Sequence, residues 1–177
     1  MRSTVASEKG RLTPEALDKK LKEVIGPMFN FEEMARRSVG AYWDKGSPEE
    51  QHEYVELFGD LLARTYLKRI KQQVENTQIQ SMTEKVEGDK ARVFSKILSD
   101  GQTISMECRL LLEAGDWKIY DVLIEGVGLI TNYRNEFPGI IRQEGFKGLN
   151  AKLRAKAENR TSEAGPKGEA AKGEASK

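Results

Sequence analysis

One aspartate, Asp121, has the setting in this chain that is best suited to acid–base chemistry. It stands in an otherwise apolar stretch, residues 117–125, and an ionisable group in an apolar strand requires a partner. A carboxylate in such a place could act as a general base. It could equally be a structural group that caps a helix or pairs with an arginine such as Arg134. Because no second catalytic group is in view, we favour the structural role.

The chain contains one histidine and one cysteine, which limits the catalytic and metal sites that it could form. His52 falls on the polar side of a predicted helix, so we interpret it as a solvated surface residue. Cys108 alternates in phase with apolar residues of a predicted strand, and we interpret it as a buried small hydrophobe rather than a nucleophile. The sequence offers no Ser–His–Asp set, no His/Cys cluster with zinc spacing and no pair of cysteines. We therefore predict no metal, no cofactor and no enzymatic activity.

Composition limits the class of protein further. The 29 Lys and Arg residues nearly balance the 28 Asp and Glu residues, which argues against an obligate nucleic-acid binder. No run of 18 apolar residues exists, so we predict no membrane-spanning helix. Residues 1–6 lack the apolar region of a signal peptide, and taken alone this indicates a cytosolic protein.

Helical periodicity marks four segments of the sequence. A helix is predicted over 13–25, with Thr13 as its N-cap, and a short one over 31–39. Residues 47–50 form a capping box, which predicts the start of an amphipathic helix of about 24 residues. A last helix, or a broken pair of helices, is predicted over 127–157. Its weak points are Pro138 and Gly145.

Between the long helices the period changes from 3.6 to 2. Strands are predicted over 78–87, 90–98, 102–113 and 117–125, joined by Gly-Asp or Asp-Gly pairs that are typical of hairpins. Such a chain should form a four-stranded antiparallel meander with helices folded over it, an α+β fold. Both faces of the last strand are largely apolar, so apolar groups must cover both faces.

The ends of the chain differ from its middle. We predict a flexible segment at 1–11, one domain at 12–158 and a disordered tail at 159–177. From Thr161 onward the sequence has no Val, Ile, Leu, Met or aromatic residue, so it cannot bury a core.

Several spaced motifs carry a resemblance to a known family. The strings W-K-I-Y-D-V, E-G-V-G-L-I and N-Y-R-N-E-F within 117–137 resemble the signature of the MlaC, or toluene-tolerance, family. Residues 31–43 resemble its F-x-x-M-A…L-G-x-x-W element, and residues 51–66 resemble its Q-x-x-x-F-x-x-x-F-x-x-L-L-x-x-x-Y helix. The resemblance covers roughly residues 12–154.

The resemblance implies a fold and a function. The fold would be a cone like that of nuclear transport factor 2, with an apolar pocket between sheet and helices. The function would be that of a monomeric periplasmic carrier that holds a phospholipid as cargo and moves it between an inner-membrane ABC-type complex and an outer-membrane lipoprotein complex. A carrier of hopanoid or another polycyclic lipid is a close variant, and a cone-fold enzyme with Asp121 as base is the alternative. An exported protein also implies a leader, and we expect that the leader has been removed before Met1.

The apolar residues of the last two strands and the long helices are either ordinary core or the lining of a lipid cavity. Because both faces of the strands are apolar and the resemblance implies a pocket, we favour a cavity. The candidate lipid-binding residues are Phe58, Leu61, Leu62, Tyr66, Met106, Cys108, Tyr120, Val122, Ile124, Leu129, Ile130, Tyr133 and Phe137.

A basic stretch lies near the end of the predicted last helix. It is either a solvated helix face, which is the default, or a surface for an acidic partner or anionic lipid headgroups. Its members are Lys147, Lys152, Arg154, Lys156 and Arg160.

Overall fold

The computed structural model describes residues 23–73, 77–99 and 101–159. The segments predicted as a flexible N-terminus and a disordered tail lie outside these residues. Most of the helix predicted from Thr13 also lies outside them, although residues 23–25 are helical and lead into a 3-10 turn at Gly26–Met28.

Three α-helices follow the pattern predicted from periodicity. Helix α1 is Phe31–Val39, α2 is Pro48–Gln73 and α3 is Leu129–Asn159, and a 3-10 helix at Gly40–Lys45 joins the first two. The backbone of α3 breaks at Gly145, where φ is 69°. Glycine tolerates this left-handed conformation because it has no Cβ atom. Of the two predicted alternatives, one long helix or a broken pair, the structure has the broken pair. The break is at Gly145, and Pro138, the other predicted weak point, lies inside the helix.

The capping box predicted at the start of α2 is present. The Ser47 N–H donates to Glu50 Oε2 at 3.0 Å, and the Glu50 N–H donates to Ser47 Oγ at 3.2 Å. Two N–H groups that a helix start leaves without partners are thus satisfied by side chains.

Within the described residues the sheet is an antiparallel meander, as predicted, but it has five strands rather than four. The strands are β1 Thr77–Glu87, β2 Lys90–Ser99, β3 Gln102–Glu113, β4 Asp116–Ile124 and β5 Val127–Gly128, and they lie in that order across the sheet. The two residues of β5 pair with the end of β4. A strand of two residues is too short to have a recognisable period, so the sequence pattern did not reveal it.

In the part of the chain that the structure describes, helices α1, α2 and α3 pack together around one core. Its fully buried members come from every helix, and aromatic rings dominate it: Tyr54 stacks on Phe58, and Phe137 meets both rings edge-on. The hydroxyl of Tyr54 lies 2.5 Å from Ser38 Oγ, which itself donates to the Ala35 carbonyl. The polar end of the buried tyrosine is thus satisfied within the helical layer.

The helical layer meets the sheet mainly along β4. The Asn30 N–H donates to the Ile119 carbonyl at 2.9 Å, and Lys118 Nζ donates to the Pro27 carbonyl at 2.7 Å. The guanidinium of Arg37 lies 4.2 Å from the centre of the Tyr120 ring, a cation–π contact.

Asn30 connects the start of α1 to the sheet with both ends of its side chain. Its Oδ1 accepts from the Glu33 N–H at 2.8 Å, and its Nδ2 donates to Glu113 Oε1 at 2.7 Å. We expect Asn30→Ala to lower the free energy of unfolding by about 1–2 kcal/mol, because the helix cap is lost. Asn30→Ser keeps a capping oxygen, so in urea denaturation it should lose clearly less. Equal losses for the two variants would show that the cap is not the source of the effect.

Candidate functional site

Strand register divides the sheet into two faces with different chemistry. Residues that lie directly opposite each other on neighbouring strands share a face. One face, here called the apolar face, has four rows that run across the strands. They are Val86–Ala91–Leu110–Ile119, Glu84–Val93–Cys108–Val122, Met82–Ser95–Met106–Ile124 and Ile79–Ile97–Ile104. Only Glu84 and Ser95 are polar in these rows.

The apolar face spans most of the sheet. Three gaps of about 4.8 Å between strands and three two-residue steps along them give about 14 Å by 20 Å. Its apolar side chains on β1 are among the most exposed in the described structure: Ile79 is 64% and Met82 is 65% exposed. Val122 and Ala91 are buried, yet neither belongs to the helical core.

The opposite face, here called the polar face, is the side on which the described helices contact the sheet. Its rows are Ser81–Lys96–Ser105, Thr83–Phe94–Glu107–Leu123 and Lys85–Arg92–Arg109–Asp121. Tyr120 also lies on this face, because a bulge between the Arg109–Asp121 and Leu110–Ile119 pairs leaves it without an opposite residue. Glu113 and Lys118, which contact the segment before α1, share this face with it.

The structure separates the candidate lipid-binding residues into two groups on opposite sides of the sheet. Met106, Cys108, Val122 and Ile124 lie on the apolar face. Phe58, Leu62, Ile130 and Phe137 are buried in the helical core, and Leu61, Tyr66, Tyr120 and Tyr133 pack against that core. Leu129, at the first position of α3, is half-buried.

The structure does not bring these two groups together. Period-2 spacing places Tyr120 in phase with Val122 and Ile124, and the bulge moves it to the other face. Sequence reasoning also missed the contributions of β1 and β2 to the apolar face. Their signal was present as the alternating apolar residues Ile97, Val93 and Ala91, and Val86 with Met82.

A protein-family comparison decides the kind of protein to which these faces belong. The family profile of the MlaC protein matches residues 1–155. The chain belongs to the MlaC family. The resemblance seen in the spaced motifs is thus confirmed.

A curated relative of this MlaC-family chain is the intermembrane phospholipid transport system binding protein MlaC of Haemophilus influenzae. The two sequences are 25% identical over 137 residues, which is 74% of this chain and 64% of the relative. The chain thus spans less than two thirds of the length of the relative. The names in this family are those of binding and transport proteins.

A solved structure has the same fold. It is the phospholipid-binding protein of Ralstonia solanacearum in complex with a phospholipid, at 23% sequence identity and a TM-score of 0.74. The match covers 89% of this chain and 92% of the other. The predicted α+β architecture is thereby confirmed.

Asp121 holds the start of α3 against the sheet. Its Oδ1 accepts from the Val122 N–H at 3.0 Å and from the Ile130 N–H at 3.4 Å, and its Oδ2 lies 3.9 Å from Arg109 Nη1. A Cβ atom at Gly128 would lie only 3.2 Å from Oδ2. Both roles foreseen for a structural carboxylate are present, but the arginine is Arg109 rather than Arg134.

The other polar candidates lie at the surface. The His52 side chain is 80% exposed and lies 3.7 Å from the Glu56 carboxylate, which confirms it as a surface residue. In the basic stretch, Lys152 pairs with Glu144 at 2.6 Å, Lys156 with Glu136 at 3.3 Å and Arg154 with Glu53. Much of its charge is thus neutralised within the fold. Arg160 lies outside the described residues.

Two kinds of feature are absent from the described residues. No group of three or more His, Cys, Asp or Glu side chains there is placed to hold a metal ion. No helix within 23–73 or 129–159 is both long and apolar enough to cross a membrane.

Burial of Asp121 has a consequence for stability. Desolvation raises the pKa of Asp121, against the opposing effect of the Ile130 N–H and Arg109. Because the folded state then binds the proton more tightly than the unfolded state, stability should fall as pH rises from the ordinary value of 3.8 through the raised pKa.

We expect Asp121→Asn to abolish the pH dependence of stability that comes from Asp121, because an amide does not titrate. The amide oxygen can still accept both N–H bonds, so the local structure should be kept. The free energy of unfolding of the variant minus that of the native chain should therefore increase as pH rises from 3.8 through the raised pKa of Asp121, and then stay level. Other titrating groups are shared and cancel in this difference. A difference that decreases with pH would mean that the pKa of Asp121 is lowered and that the Arg109 pair dominates.

Proposed function

We propose that this chain is a periplasmic lipid carrier that binds phospholipid acyl chains on the apolar face of its sheet. The single observation that carries the proposal is a nearly continuous apolar surface on the side of the sheet away from the described helical core. The family assignment supports it, and so do the names of the relatives, which concern phospholipid binding and transport.

The chemistry of the apolar face suits hydrocarbon. Acyl chains bind by removing apolar surface from water, at about 0.8 kcal/mol for each buried CH₂ group. An unpaired polar group beside them would cost free energy, and within the four rows only Glu84, on the outermost strand, carries a charge. A phospholipid with two chains could thus remain bound through purification, with its headgroup in water.

The transport role is the second part of the proposal. A carrier that buries only the chains can exchange its cargo when a receptor covers the same surface. We propose that it moves lipid between an inner-membrane ABC-type complex and an outer-membrane lipoprotein complex, acting as a monomer without a cofactor. Lipid extraction and mass spectrometry of the purified protein distinguish a bound phospholipid from hopanoid or another polycyclic lipid. If the extract contains no lipid at a near-stoichiometric level, the carrier role is contradicted.

Cys108 is a built-in reporter for this site. It is half-buried in the middle of the apolar face, between Val93 and Val122 on the neighbouring strands, and burial raises the pKa of its thiol. We expect a water-soluble disulfide reagent at mildly alkaline pH to modify delipidated protein at least about tenfold faster than lipid-loaded protein, because the chains cover the thiol.

A matched variant tests whether protection is local to the apolar face. In Cys108→Ser/Thr83→Cys the only thiol moves to an exposed position on the polar face. The rate at which the reagent modifies this thiol should not depend on whether lipid is bound. If both thiols are protected equally, the lipid acts by stabilising the whole fold, and if neither is protected, the lipid lies elsewhere.

Filling the apolar face should block the lipid without unfolding the protein. We expect Val122→Trp to reduce the lipid that co-purifies by at least about fivefold, while the melting temperature of the delipidated protein changes little. The control is Leu149→Trp in the helical core, where the residue is fully buried and overpacking should cost about 1–3 kcal/mol. Should Val122→Trp destabilise as much as the control and retain its lipid, Val122 belongs to an ordinary core.

A further inference from the structure

A second surface, on the polar face of the sheet, has a shape and charge that the lipid site does not use. A cavity of about 410 Å³ opens on this side of β1, β2 and β3. Phe94 and Leu123 provide apolar side chains, Ser81, Thr83 and Ser105 provide hydroxyl groups, and Lys96 and Glu107 provide charge. Register places these seven side chains on the face opposite Cys108 and Val122. Ser95 and Met106, which belong to the apolar face, also border the cavity.

Positive charges slightly outnumber negative charges around this cavity, where the Glu125 carboxylate accepts from the Ser105 N–H. Glu107 is neutralised by Arg109, whose Nε lies 2.9 Å from Glu107 Oε1. Lys96 lines the cavity, and Arg92 lies two residues along the same strand and the same face. Among the described residues, neither of these two cations forms a close ion pair, although the charge of Arg92 acts on the Glu87 carboxylate. The surface therefore offers two cations without a close ion pair on either side of one aromatic ring.

A smaller cavity continues the positive surface towards the helices. It measures about 60 Å³ and is lined by Lys85, Glu87, Lys90, Arg92 and Tyr120, among others. Lys85 pairs with Glu87 at 2.6 Å, so Lys90 and Arg92 supply the net charge. This contrasts with the basic stretch of α3, where three cations are paired within the fold.

We propose that this surface, defined by Arg92, Phe94, Lys96 and the 410 Å³ cavity, docks an acidic segment of a partner protein that inserts an apolar side chain beside Phe94. Charge complementarity identifies the acidic character of the partner, since unpaired cations on a surface favour carboxylates and speed their encounter. The recess identifies an inserted side chain, because buried aromatic anchors surrounded by polar groups are typical of protein interfaces.

The shape of the surface favours a protein over a lipid bilayer. Phe94 is 39% exposed and lies in the lining of a recess. Aromatic side chains that anchor a protein to a bilayer must instead reach into the headgroup region. Since the recess lies opposite the proposed lipid site, docking and cargo binding should not compete. The inference is thus independent of what the apolar face binds.

The test uses the isotope-labelled full chain and a capped hexapeptide, Glu-Glu-Leu-Phe-Glu-Glu, with Lys-Lys-Leu-Phe-Lys-Lys as the charge control. We expect the acidic peptide to shift the amide resonances of Thr83, Phe94, Lys96 and Ser105, and the basic peptide to leave them unchanged. At about 50 mM salt binding should be measurable, and it should weaken several-fold at about 300 mM, because exposed charges are screened. Shifts confined to another surface would overturn the proposal.

Substitutions then separate charge from shape. The double variant Arg92→Glu/Lys96→Glu should lower the affinity for the acidic peptide at least about tenfold. Phe94→Ala should lower this affinity several-fold without changing its salt dependence. The matched control is Lys147→Glu on α3, an exposed lysine away from the sheet, which should bind the peptide as the native chain does. Circular dichroism confirms that each variant is folded. Unchanged affinity in the double variant would refute the proposed surface.

Two further measurements decide between the possible partners. The first is binding to vesicles of phosphatidylglycerol. If the vesicles bind the chain through Arg92 and Lys96 and the acidic peptide does not bind, the surface docks to membranes and the proposal is overturned. Lipid-loaded and delipidated protein should bind the peptide equally. A large difference between them would show that the peptide competes for the lipid site, which also contradicts the proposed surface.

Discussion

The alternation of side chains along β4, with one bulge at Tyr120, is the constraint on which the rest of the molecule depends. Consecutive residues of a strand point to opposite faces, so Asp121 and Val122 must belong to different environments. Asp121 meets the first turn of α3, and Val122 meets Cys108 on the apolar face. The bulge adds Tyr120 to the helical side, where Arg37 stacks on its ring. One short strand thereby joins the helices on one side and presents apolar residues on the other.

This arrangement leaves the helical layer with a core of its own. Its core is filled by aromatic rings that contact one another, and the buried hydroxyl of Tyr54 is satisfied by Ser38 within the same layer. The sheet contributes little to that core beyond Tyr120. Consequently the apolar face takes little part in the packing of the described helical core. This separation of the helical core from the apolar face suits a carrier, whose binding surface must accept and release cargo without unfolding the helical layer.

The two faces of the sheet then divide the proposed interactions of the protein. The apolar face would hold hydrocarbon, for which directionless burial is sufficient. The polar face carries Arg92 and Lys96 beside a recess, which can recognise charge and shape in a partner. Because β2 supplies alternate residues to both faces, Val93 and Ser95 lie on one side and Phe94 lies on the other. A partner bound at Phe94 would thus lie one sheet thickness away from the lipid.

Local features of this protein were determined by the sequence itself. The capping box at Ser47, the 26-residue helix after it and the meander all follow from short-range patterns, because each depends on residues within one or two turns. The sequence indicated Pro138 and Gly145 as possible breaks in the last helix, and the structure has the break at Gly145. The family also followed from spaced motifs. The two-residue strand β5 was missed because it is too short to have a period.

What only the tertiary structure decided is which apolar residues share a surface. Phe58 and Val122 are equally apolar in the sequence, yet one lies in the helical core and the other on the opposite side of the sheet, because strand register and a bulge act between segments that are distant in the chain.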